Sequence, residues 1–135
     1  MREILFRGKR KAGGYWIHGD LRQWSEKRKG ILDYSFGGTS EVYPETIGQF
    51  TGLTDKNGKK IFEGDIVEPV LTDGTHKGFS WGRRVVVFDN GAFCLKDRRD
   101  QCTPMCNYSA NVEFEVLGKI HDNPELLGGE RREGE

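Results

Sequence analysis

Residues 42–67 read V-Y-P-E-T-I-G-Q-F-T-G-L-T-D-K-N-G-K-K-I-F-E-G-D-I-V, and this run decides the fold class. Apolar residues gather at Ile47, Phe50 and Leu53 before Asp55, Lys56, Asn57 and Gly58 interrupt them. The pattern resumes at Ile61 and Phe62, and Glu63, Gly64 and Asp65 then turn the chain into Ile66 and Val67. Asn-Gly between apolar runs is a strong hairpin signal, because a tight two-residue turn needs positive φ at both central positions. The expectation is strand, turn, strand, turn, strand. Asn57, Gly58, Gly64 and Asp65 serve as turn residues in this reading, with Asp65 accepting backbone N–H bonds inside its turn.

Upstream of this run, residues 3–7 predict a first strand. Residues 15–21 predict a second, with Tyr15, Ile17 and Leu21 on one face and Trp16, His18 and Asp20 on the other. The segment between them, with Lys9, Arg10 and Lys11, reads as a flexible polar connection in a hairpin. Residues 24–38 are irregular, apart from a short strand at Ile31–Tyr34. Pro44 biases Tyr43 toward extended geometry, and residues 46–53 read as strand with a short helix over 44–49 as the competitor.

Downstream, strands are expected over residues 65–71, 84–88, 92–95 and 112–120. Four strands separated by loops suit a small SH3-like barrel, an analogy from strand count alone. Asn123, Pro124, Glu125, Leu126 and Leu127 read as a helix cap, a first-turn proline and one helical turn. The whole is therefore mainly β. An N-terminal β-hairpin region over residues 1–60 packs on a C-terminal small β-barrel over 61–127, with short helical turns and a disordered tail over 128–135.

Length and composition agree with that class. A chain of 135 residues suits one domain or two small subdomains. Nineteen glycines favour turns and strands over helices, where interior glycine costs about 1 kcal/mol relative to alanine. Lys plus Arg and Asp plus Glu each number 21, so the formal net charge is zero and no overall basic balance drives nucleic-acid binding. Neither a signal peptide nor a membrane-spanning run is expected. Three cysteines make an odd count, which does not read as a disulfide framework, and the expected compartment is a bacterial cytoplasm.

The run at residues 42–67 resembles the YopX family of bacteriophage and prophage proteins. The matching residues are Pro44-Glu45-Thr46, Gln49-Phe50-Thr51-Gly52-Leu53, Asp55-Lys56-Asn57-Gly58 and Ile61-Phe62-Glu63-Gly64-Asp65-Ile66-Val67. The resemblance extends to Ile4-Leu5-Phe6-Arg7, to Gly91-Ala92-Phe93 and to the segment from Glu115 to Leu127. It lapses in the loops at residues 24–36 and 96–111. It implies a phage-associated protein of largely β structure, and it supplies no catalytic residues.

The residues themselves offer little catalytic chemistry. Cys102 and Cys106 have zinc-knuckle spacing, but only Cys94 and scattered histidines stand as further donors, so the thiols read as small hydrophobes and no metal or cofactor is expected. Glu63 and Asp65 would lie on one side of an extended chain, which keeps a metal-dependent hydrolase open as an alternative. A second alternative is a nucleic-acid-binding module using Lys9, Arg10, Lys11, Arg83 and Arg84, with further basic residues at Lys27–Lys29 and at Arg98 and Arg99. It requires those patches to share a face with aromatic residues. The preferred expectation is an accessory protein that acts by binding an unknown phage or host protein. The surplus of Trp and Tyr and the open sheet edges suggest a homo-oligomer.

Overall fold

A computed structural model describes residues 3–127 of the chain, which divides into two compact units, Met1–Gly52 and Leu53–Glu135. The tail expected over 128–135 lies outside the described residues. Both units are built on antiparallel sheet, and the chain is mainly β.

The first unit holds β1 (Phe6–Lys9), β2 (Trp16–Gln23), β3 (Lys29–Asp33), β4 (Thr39–Val42) and most of β5 (Gly48–Thr54), in the order β4-β3-β2-β1-β5. The hairpin of β1 and β2 forms with Phe6 opposite Gly19 and Lys9 opposite Trp16. The basic segment expected to be a flexible connection does structural work. Arg10 bridges Val42, the Lys11 N–H donates to the Glu41 carbonyl at 3.0 Å, and the Tyr43 N–H donates to the Lys9 carbonyl at 2.9 Å. Residues 9–11 thus bond the outer edge of β4 at its Glu41–Val42 end, and the ladder returns there to the chain that leaves β1. Closure of this kind removes the exposed edge that invites other chains.

Apolar alternation explains the interior of this unit. Ile17, Ile31 and Val42 are buried together, with Phe6, Leu21 and Ile47 packed against them. Gly8 is where β1 crosses this interior, and an added Cβ there would meet the Val42 Cγ2 at 3.0 Å. Pro44–Thr46 form one 3-10 turn, so the helical and the strand expectations divide this stretch between them. Tyr43 is extended, as the following proline requires, and the Thr46 hydroxyl ties the turn down by accepting the Lys9 N–H at 2.9 Å.

The second unit begins at Leu53, within the last two residues of β5. It contains β6 (Lys60–Phe62), β7 (Asp65–Leu71), β8 (Arg84–Asp89), β9 (Ala92–Lys96), β10 (Cys102–Pro104) and β11 (Val112–Lys119). Its sheet has the order β10-β9-β8-β7-β11. Strands β7, β8, β9 and β11 fall where alternation and β-branched runs place them, β6 forms at the expected Ile61 and Phe62, and β10 is a short addition. The sheet's two outer strands differ. β10 has three residues and ends in Pro104, a short edge of the kind that resists pairing. β11 is covered along part of its length, because the Lys56 N–H donates to the Phe114 carbonyl at 2.9 Å. That bond is one reason residues 53–60, expected with the N-terminal region, belong to the second unit.

Ile61, Val67, Val86, Leu95, Met105 and Phe114 form the second unit's core, with Phe93, Tyr108, Val112 and Val116 against it. From Phe114 a series of edge-to-face rings runs outward through Tyr108 at 5.5 Å, then Trp81 at 5.9 Å and Phe79 at 5.0 Å. Such contacts fix ring orientation as well as burying area.

Candidate functional site

Two hairpin turns of the second unit share one hydrogen-bond plan. In the first, the Asp55 N–H donates to the Lys59 carbonyl at 2.7 Å and the Gly58 N–H to the Asp55 carbonyl at 2.9 Å. Asp55 Oδ1 accepts the N–H groups of Asn57 and Lys59, both at 2.9 Å. Gly58 has φ 83°, whereas Asn57 is not among the described residues of positive φ. The expected two-residue turn with positive φ at both positions is therefore replaced by a longer one. Lys56, Asn57 and Gly58 form the loop, and only its last residue is left-handed.

The second turn repeats this at Asp97. Its N–H donates to the Gln101 carbonyl at 3.0 Å, and the Asp100 N–H donates to the Asp97 carbonyl at 3.1 Å. Asp97 Oδ1 accepts from Arg99 at 2.8 Å and from Gln101 at 3.0 Å, while Asp100 takes the left-handed position with φ 65°. The N–H of Gln101, then that of Arg99, hold the Asp97 carboxyl below its ordinary range, and the guanidinium of Arg84 adds to the effect.

Asp55 does more. Its second oxygen, Oδ2, accepts the N–H of Val116 at 3.0 Å across 61 positions of sequence. Burial pushes this carboxyl up, but the N–H groups of Val116, Lys59 and Asn57 outweigh it and hold the group below its ordinary value. Neither aspartate stands out in the sequence as a site residue. The signal available is an aspartate three residues before a glycine, or before an aspartate or asparagine able to take positive φ.

Gly64 has φ 89°; its N–H donates to the Val86 carbonyl at 2.9 Å and its carbonyl accepts from Ile120 at 2.8 Å. Asp65 is buried, and its Oδ2 accepts the Phe62 N–H at 2.8 Å. Glu63 and Gly64 form a turn between β6 and β7. The chain is not extended there, so a spacing of two residues does not put Glu63 and Asp65 on one side. Among the described residues, no group of three or more His, Cys, Asp or Glu is placed to hold a metal ion. Cys94 is buried, and burial first of all pushes its thiol up, away from the thiolate form that reacts.

The basic residues fall in separate places. In the first unit the Arg10 guanidinium lies over Tyr15 at 5.1 Å and bonds Ser40 Oγ at 3.2 Å. Lys11 lies over Tyr43 at 5.9 Å and pairs with Glu41 at 3.2 Å, which also takes Arg28 at 3.2 Å. Lys9 contributes its backbone to the closure of β4. In the second unit Arg83 Nη1 donates to the Leu126 carbonyl at 2.7 Å. Arg84, Arg98 and Arg99 line one cleft of about 300 Å³ together with Trp81, Gly82 and Asp97. The expected helical turn follows Asn123, whose carbonyl accepts the Leu126 N–H at 3.1 Å, but its Oδ1 turns back to accept the Lys119 N–H at 3.1 Å.

Two antiparallel-sheet units and a cationic, aromatic-walled cleft define a mainly β protein, in which no group of three or more metal-ligating residues occurs among the described residues. A family model described as YopX protein matches residues 5–128, and the chain belongs to that family. Its fold is similar to that of the YopX protein from Bacillus subtilis, at 19% identity and a TM-score of 0.56 over 94% of this chain and 97% of that one. It is also similar to protein EF1440 from Enterococcus faecalis, at 22% identity and a TM-score of 0.55 over 94% and 99% of the two chains. At these identities the likeness is one of fold alone. No curated protein matches the sequence.

Proposed function

We propose that this protein is a phage or prophage accessory protein of the bacterial cytoplasm that acts by binding, and that it works as a homo-oligomer. The observation that carries the reading is the exposure of large aromatics in the first unit. Phe36 is 78% exposed, Tyr34 58%, Trp24 52% and Tyr15 47%. Aromatics with rigid rings and a polar handle bury large area at modest entropic cost, which is why they anchor interfaces. Phe36 and Tyr34 sit at the tip of the hairpin between β3 and β4, where nothing in the first unit's core requires them. Residues 9–11 bond the β4 edge from Glu41 to Tyr43, so that edge is not what motivates self-association here. The aromatic tip carries it, and a second copy of the chain is the proposed occupant.

Light scattering over a concentration series tests this. The expected mass exceeds the 15.4 kDa of one chain and falls toward it in the variant Phe36→Ser. A single-chain mass at every concentration would refute self-association.

A further inference from the structure

We propose that the cleft lined by Trp81, Arg84, Arg98 and Arg99 binds the phosphate of a nucleotide, with the base against Trp81. This site is independent of the aromatic tip of the first unit. Arg84 opens β8, and Arg98 and Arg99 are loop residues of the Asp97 turn, so two fixed backbone segments deliver three guanidinium groups to one place. The single carboxylate in the lining, Asp97, already has Oδ1 occupied by two backbone N–H groups. Three arginines against one aspartate leave a local surplus of two positive charges in a chain whose formal net charge is zero. Among the described residues none of the three arginines is ion-paired to a carboxylate. Planar guanidinium forks match phosphate oxygens, and they bind most firmly where the donors are held in advance.

Trp81 supplies the second recognition element. Its ring packs edge-to-face with Phe79 and with Tyr108, and Tyr108 packs in turn against Phe114 of the core. A fixed indole beside arginines is a platform for base stacking. A volume of about 300 Å³ suits one nucleotide unit. A free nucleotide and a single strand of nucleic acid both carry this chemistry. A second cleft, lined in part by Arg83, Lys96 and Arg98, shares Asp97 and Arg98 with the first, which gives a strand a path onward. Lys96 there already pairs with Asp100 at 3.3 Å, so the first cleft is the stronger phosphate site.

Fluorescence anisotropy of a labelled oligothymidylate at low salt, with thymidine monophosphate and inorganic phosphate as competitors, tests the proposal. Wild type should bind, and Arg98→Ala combined with Arg99→Ala should weaken binding about tenfold or more. The double variant should keep its melting temperature, since both side chains are exposed. Displacement by the monophosphate at matching nucleotide concentration would identify a free nucleotide as the source, and displacement only by unlabelled oligonucleotide would identify a strand. Either result sustains the site. Absence of binding, equal binding by the double variant, or displacement by inorganic phosphate as readily as by the monophosphate would overturn it.

Discussion

At Asp55 and again at Asp97, one carboxylate oxygen accepts N–H groups two and four residues ahead, while the residue three ahead sits at positive φ. The two turns then part. Asp55 is buried, its second oxygen takes the Val116 N–H of β11, and its turn locks a sheet edge. Asp97 is half-buried, and the loop it shapes carries Arg98 and Arg99 into a cleft. One backbone plan fastens the fold in the first place and presents charge in the second. What separates them is whether the remaining oxygen meets a distant strand.

Breaking each turn measures that difference. Asp55→Ala should be the costliest change, because it leaves the N–H groups of Asn57, Lys59 and Val116 without their acceptor. A loss of about 3 kcal/mol is expected, on the scale of 1–3 kcal/mol for buried unsatisfied groups. For a chain of this length that is a fall of roughly 10 °C or more in melting temperature, read by calorimetry. Gly58→Val comes next, at about 2 kcal/mol. An added Cβ at Gly58 meets nothing within 4 Å, so the cost is that of a β-branched residue at positive φ. Asp97→Ala should cost about 1 kcal/mol, since water reaches the N–H groups it would leave. Asp100→Gly should have the smallest effect and the opposite sign. Relief of the left-handed aspartate outweighs the added freedom of the unfolded chain and the loss of the exposed Lys96–Asp100 pair, for a net gain of about 0.5 kcal/mol or less. A loss at Asp97→Ala as large as that at Asp55→Ala would erase the distinction between the turns.

Acidity sharpens the comparison further. The Asp55 carboxyl lies below its ordinary value in the folded chain, so the unfolded chain binds the proton more readily. Its stabilisation is complete above the unfolded value and is lost as pH falls through the folded one. Denaturant melts from about pH 5 downward should therefore lose stability faster in wild type than in Asp55→Asn. Parallel curves for the two proteins would remove Asp55 from the account.

These turns also mark what sequence discloses. Asn57-Gly58 announces a reversal because glycine at positive φ has few other uses, although the loop proved one residue longer than the two-residue form. The Asp97 turn carries no such flag, since Asp100 fills the position that glycine fills in the first. Strands β7, β8, β9 and β11 were legible from alternation and β-branched runs, which are local signals. The covering of β4 by residues 9–11 was not, because a basic run with glycines on either side has no local preference that reveals a partner more than thirty residues away. The cleft was half legible. Arg84, Arg98 and Arg99 were visible as basic patches, but that they share a wall with Trp81 depends on register across β8 and β9.

One carboxylate joins a turn to a strand across 61 positions, and the Val116 amide reports on that bond. Hydrogen exchange at that amide, followed by NMR in wild type and in Asp55→Asn, tests the bond without unfolding the protein. Slow exchange in wild type should become markedly faster in the variant, while the amides of Val67 and Leu95 in the same core change little. Equal exchange at Val116 in the two proteins would contradict the account.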